Sequence, residues 1–142
     1  MCKRGDIYYA DFGVKSGSCE QGGIRPAVVV SNNKANANSP VITVVPLTTK
    51  IWKKPYLPTH VQITFSVTTG LHRKSMALAE QVETIDKKKL TEKIGEITDT
   101  LLMDQITIAL QIQIGAYEEY NCGSWETNCL SFFCRKWYND GR

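Results

Sequence analysis

The sequence predicts a β-rich α+β domain, a small antiparallel β-barrel with short helices and a longer helix at its C-terminal end. Three observations carry this. Short alternating or continuous apolar runs, rich in β-branched and aromatic residues, recur from Ile7 to Val82. The connections between them are short and lack the strand–helix–strand rhythm of a parallel sheet. The long helical pattern comes last, after Asp99. A chain of 142 residues fits one domain with a real core. With 42% hydrophobic and 22% charged residues, general disorder and fibrous repeats are excluded.

Taken in order, Ile7 to Phe12 alternates as a first strand, and Gly13 to Gly23 breaks it with a Gly/Ser-rich stretch that reads as a long hairpin loop. Pro26 to Val30 is almost continuously apolar, as in a strand buried on both faces, and Ser31-Asn32-Asn33 ends it. A turn or helical piece follows over Lys34 to Asn38. Val41 to Leu47 is the next strand, closed by Thr48-Thr49-Lys50, with Pro46 marking a bulge or edge. Leu57 to Phe65 and Ser75 to Val82 supply further strands on either side of a turn at Thr69-Gly70, giving five or six in all. Such a sheet, strongly curved, is expected to close into a barrel. Asp86 to Ile94 has helical spacing at Ile85, Leu90 and Ile94, and Asp99 caps a helix from about Thr100 to Tyr117.

That last helix is apolar over more than a core-facing stripe. Leu101, Leu102, Ile106, Ile108, Ala109, Leu110, Ile112 and Ile114 cover well over half its circumference, against about 100° for an ordinary surface helix. A second copy of the chain is the simplest cover for the surplus, with a helix sunk deeper into its own barrel as the alternative. Residues 1–120 are read as the domain. Residues 121–142, with no clear period and three of the five cysteines, are read as a tail of unknown role, disorder being one open reading. The cysteines at 2, 19, 122, 129 and 134 match no zinc framework, so no metal is expected. No apolar run approaches the roughly 20 residues that span a bilayer, and a cytoplasmic protein without membrane contact is expected. A net charge of +3 is compatible with a polyanionic partner.

Several clusters carry chemistry: Arg4-Gly5-Asp6-Ile7-Tyr8, Glu20-Gln21-Gly22-Gly23-Ile24-Arg25-Pro26, Pro46-Leu47-Thr48-Thr49, Leu57-Pro58-Thr59-His60, Ala79-Glu80-Gln81 and Thr84-Ile85-Asp86-Lys87. In this order and spacing, over roughly residues 3 to 117, they resemble the MazF/PemK family of type II toxin endoribonucleases. The resemblance implies a homodimer of SH3-like barrels that cuts single-stranded RNA at short preferred sequences, without cofactor or metal, to 2′,3′-cyclic phosphate and 5′-hydroxyl ends. It also implies a cognate antitoxin whose C-terminal segment covers the RNA groove, and operator DNA reached only indirectly through that antitoxin. On matching positions it makes Arg25 and Thr48 the catalytic pair. It offers Cys19, Gln21, Asn32, Thr49, Glu80 and Gln81 as RNA contacts.

The chemistry can be weighed on its own. Cleaving RNA by its 2′-hydroxyl requires a proton acceptor, a donor to the leaving oxygen and positive charge at the phosphorane. A planar cationic guanidinium, able to grip two phosphate oxygens, suits Arg25 to the charge role and makes it a poor base. Thr48 hydrogen-bonds the same phosphate. Glu20, from the loop, and His60, an imidazole, are the acid/base candidates. Read singly, Thr48 and Thr49 are also ordinary strand-end residues, and Glu80 and Gln81 ordinary solvent-facing ones. Lys15, Lys50, Lys53 and Lys54 flank the expected groove, and Trp52 and Tyr56 offer rings for bases. The chain departs from the pattern at Cys19, where many relatives have serine, and at Lys74, where an acidic residue is common; both bear on the target sequence. Two rivals keep the fold: a gyrase-poisoning toxin that cuts nothing, and an inactive RNA-binding relative whose groove the tail blocks.

Overall fold

The computed structural model describes residues 2–116; the expected tail, 121–142, and the end of the expected domain lie outside the described residues. The apolar runs become seven strands: Asp6–Asp11 (β1), Ile24–Val29 (β2), Val41–Thr48 (β3), His60–Ile63 (β4), Ser75–Leu78 (β5), Glu83–Asp86 (β6) and Leu90–Glu96 (β7). They pair antiparallel along the path β4-β5-β3-β2-β1-β7, with β6 also on β3. Asn33–Asn38 (α1) and Thr100–Gln113 (α2) are the two α-helices. The Asn32 side chain accepts from Ala35 N–H to cap α1, and Asp99 accepts from Leu101 N–H at 2.9 Å to start α2 where expected.

Strand periodicity sorts the core. Val28, Val45 and Leu47 join Ile7, Ile63 and the α2 residues Ile106 and Ala109 in one cluster. Their alternate neighbours Ala27, Val29 and Val44 join Ala10, Phe12, Ile42 and Ile85 in a second. The continuous run in β2 is therefore buried on both faces, as its composition implies. β3 is the longest strand and is paired along both edges. β2 takes one edge, and on the other β6 pairs with Val41 to Val44 and β5 with Leu47 and Thr48. Pro46, which has no N–H, stands where that second edge changes partner.

Four expectations are corrected. The sheet does not close into a barrel: no ladder joins β4 to β7, the two ends of the path, and the turn after β4 bridges the gap, Glu96 N–H donating to Thr68 O at 3.0 Å. The strand expected over Leu57 to Phe65 shrinks to β4, because Leu57 O accepts from His60 N–H in a turn. The strand expected over Ser75 to Val82 stops at Leu78, and Ala79–Gln81 forms a single 3-10 turn anchored by Ala79 N–H on Thr59 O at 2.9 Å. The helix expected over Asp86 to Ile94 is a 3-10 turn, Lys87–Lys89, followed by β7. Asp86 accepts from Lys88 N–H and limits the turn, while the free edge of β1 recruits Leu90 to Glu96. Leu90 and Ile94 are spaced by an even number, so strand period explains them as well as helical spacing does.

The bridge across the open side leaves no room for side chains. A Cβ on Gly70 (φ +69°) would come within 3.0 Å of the Ile94 carbonyl, and one on Gly95 equally close to Thr68 and Thr69 backbone. Gly115 also has a left-handed φ of +82°, but with open space around it. Gly70→Ala is expected to cost about 2–4 kcal/mol, from strain plus overlap, and Gly115→Ala about 1 kcal/mol, from strain alone. Urea denaturation followed by circular dichroism measures both; equal losses would refute the close approach.

Candidate active site

The loop between β1 and β2 ends in a backbone lock. Gly23 N–H donates to Gly13 O at 2.7 Å and Phe12 N–H to Gly23 O at 2.9 Å, with Gly23 at φ +75°. Arg25 leaves this lock already oriented. Its Nε donates to Gly22 O at 3.0 Å and its Nη1 to the Gln21 side-chain oxygen, leaving Nη2 without an acceptor among the described residues. The β2–β3 ladder runs from Val29 opposite Val44 to Ala27 opposite Pro46, and Arg25 and Thr48, each two residues beyond its end, both reach the same cleft. Thr48 in turn pairs with Met76 on β5. Thr48 Oγ1 accepts from Lys50 N–H at 3.2 Å, which leaves its own hydroxyl hydrogen to donate.

Both residues line a cleft of about 760 Å³, floored by Pro26, Leu47, Met76 and Leu78. Arg25, Lys50, Lys53 and Lys54 put four cations on its wall against the one carboxylate of Glu80. Low-polarity walls around one sign of charge concentrate the field on an anionic ligand. His60 pairs across β4–β5 with Leu78, and the 3-10 turn then turns Glu80 back over the ring. His60 Nδ1–H donates to Lys54 O at 2.8 Å, and Nε2 is hydrogen-bonded to Glu80 Oε1 at 2.5 Å. The His60 side chain is only 7% exposed. Glu80 Oε2 is buried without a hydrogen-bond partner among the described residues, an arrangement that costs free energy unless another group completes it.

Of the residues expected from the sequence, Arg25, Thr48, Thr49, Cys19, Gln21, His60, Glu80 and Gln81 all line this cleft. Gln81 ties the loop to the 3-10 turn, its side chain accepting from Gln21 N–H and donating to Cys19 O, both at 3.4 Å. Glu20 and Asn32 are not brought there. Glu20 is exposed, bonded to Ser18 and 3.7 Å from Lys15, and Asn32 is spent on capping α1. Lys15, expected at the groove, is held by Glu83 at 3.2 Å. Sequence reasoning missed the His60–Glu80 pair. The residues are 20 apart, and only the pairing of His60 with Leu78, two residues before Glu80, would have revealed it.

Arg25 and Thr48, with three lysines, line one cationic cleft, an arrangement that suits an anionic ligand. Residues 3–114 match the family of PemK-like, MazF-like toxins of type II toxin-antitoxin systems, and the chain belongs to that family. It is similar to endoribonuclease EndoA of Bacillus subtilis (strain 168), 46% identical over 114 residues that cover 80% of this chain and 95% of EndoA. A mycobacterial endoribonuclease solved in complex with its cognate antitoxin superposes with a TM-score of 0.65 at 30% identity, covering 81% of this chain and 96% of that one. MazF from Deinococcus radiodurans has the same fold, with a TM-score of 0.66 at 22% identity over 80% of this chain and 96% of its own.

The His60–Glu80 bond is measurable. In a double-mutant cycle with His60→Ala and Glu80→Ala, a coupling of about 1–3 kcal/mol is expected for a charge-assisted bond in this half-buried setting. Additive losses of stability would mean that the two side chains do not interact.

Proposed function

We propose that this toxin cuts single-stranded RNA in the cleft without a metal ion, using the RNA's own 2′-hydroxyl and leaving 2′,3′-cyclic phosphate and 5′-hydroxyl ends. Endoribonuclease activity follows from the family and from the likeness to EndoA. The observation that carries the mechanism is one cleft lined both by Arg25, with a guanidinium nitrogen that has no acceptor among the described residues, and by Thr48, with a hydroxyl free to donate. The 2′-oxygen attacks phosphorus, a new O–P bond forms, and the bond to the 5′-oxygen breaks. Arg25 neutralises the charge that grows on the phosphorane, and Thr48 donates to a second phosphate oxygen. The 2′-hydroxyl proton goes to the Glu80 carboxylate, which lines the cleft and is held on Oε1 by His60. In this role Glu80 replaces Glu20, which faces away. His60 acts through Glu80 because both its ring nitrogens are engaged. The 5′-oxygen takes its proton from the Arg25 side or from water.

The same reading includes a homodimer built on α2. Among its residues only Ile106 and Ala109 are buried, and Leu101 is 70% exposed. Ile114, at its end, is 75% exposed. These apolar surfaces suit a second copy of the chain. The cognate antitoxin is a protein that brings an acidic, amphipathic segment to the four cations of the cleft, and operator DNA is met only through it. The site of action is the cytoplasm, where mRNA is exposed; among the described residues no helix is long and apolar enough to cross a membrane.

Purified protein incubated with long single-stranded RNA in excess EDTA is expected to give discrete cuts with cyclic-phosphate ends. Arg25→Ala and Glu80→Gln should each lower kcat by about 10²–10³, and Thr48→Ala by about 10–10², all remaining folded by circular dichroism. Undiminished cutting by Arg25→Ala would reject the mechanism. An intact RNA pool beside arrested growth would favour a toxin that poisons gyrase.

A further inference from the structure

We infer that Trp52 is a stacking platform for a base flanking the cut, so that the loop between β3 and β4 sets part of the sequence preference; this rests on the RNA-cutting reading above. Trp52 is 70% exposed, whereas a tryptophan is ordinarily buried over most of its surface. Its loop neighbours Lys50, Lys53 and Lys54 line the cleft, while Trp52 stands outside the lining. The ring therefore meets a nucleotide beyond the one being cut.

The loop around it is held. Lys53 N–H donates to Lys50 O at 3.2 Å, closing a turn over Ile51 and Trp52. Lys54 has a left-handed φ of +46°, and its carbonyl accepts from both Leu57 N–H at 3.2 Å and His60 Nδ1–H at 2.8 Å. Ordering the backbone before ligand arrives lowers the cost of binding. Cations alternating with an aromatic ring on one rim match single-stranded nucleic acid, phosphates going to the ammonium groups and a base to the indole face. His60 thereby takes a second part in the site: by fixing the Lys54 carbonyl it positions the rim that carries Trp52.

The test uses the full chain with Trp125→Phe and Trp137→Phe, leaving Trp52 as the single tryptophan of the three. The probe is a fluorescently labelled oligonucleotide of a mapped cut sequence, 2′-deoxy at the cut so that it binds intact. Quenched Trp52 emission that saturates together with the oligonucleotide's anisotropy is expected. In cleavage assays Trp52→Ala should raise KM about tenfold with little change in kcat, and Trp52→Phe should restore most of the loss. Saturated anisotropy with unchanged Trp52 emission, or a Trp52→Ala variant with wild-type KM, would overturn the inference and assign the ring to protein contacts. RNA left whole by the wild type would overturn the cutting reading itself, a result distinct from cutting that ignores Trp52.

Discussion

The pairing of β3 on both edges is the constraint on which the rest of the structure depends. One edge fixes β2, and with it the strand from which Arg25 reaches the cleft that Thr48 also lines. The other is divided between β6 and β5, and the β5 half brings Met76 beside Thr48 and leads on to Glu80. A slip of one residue in either ladder would turn the site residues to the wrong face. The apolar clusters on the two faces of the sheet oppose such a slip, because Val45 and Leu47 belong to one and Ile42 and Val44 to the other. Position of the chemistry and burial of the core are thus the same requirement, met by one strand.

The cleft combines a cationic wall with a single carboxylate, and the physics asks why that carboxylate is tolerated. His60 satisfies one of its oxygens. The other oxygen is the polar atom in the cleft whose partner the protein does not itself supply among the described residues. Gln81 and Gln21 complete a short chain of amide contacts that carries the loop as far as Arg25. Each group at the site is therefore held by a residue that is not itself reacting, which is what keeps a small site well ordered.

Much of this was legible in the sequence. Continuous apolar runs marked β2 and β3, and Asp99 marked the start of α2, because burial and capping leave local signatures. The ordered motif clusters point to Arg25, Thr48, Gln21, Glu80 and Gln81, all of which line the cleft. Features that depend on who pairs with whom stayed hidden. Residues 86–94 read as helix because β1's need for a partner is not written in them, and the open side of the sheet depends on Gly70 and Gly95 backbones meeting. Glu20 read as a candidate base from its place in a motif, yet Lys15 and Ser18 hold it outside the cleft. The His60–Glu80 contact is long-range and has no local trace at all.

The segments bearing Cys19 and Trp52 contribute nothing to either apolar cluster. Both are anchored at their bases by backbone hydrogen bonds, at Gly13 and Gly23 for one and at Lys50, Lys54 and Leu57 for the other. Substitutions at their tips therefore trade against no packing energy, and drift there is thermodynamically free while Arg25 and Thr48 stay locked in the ladder. A scaffold arranged in this way can vary what its two exposed loops present at the cleft while the strands beneath them keep their places.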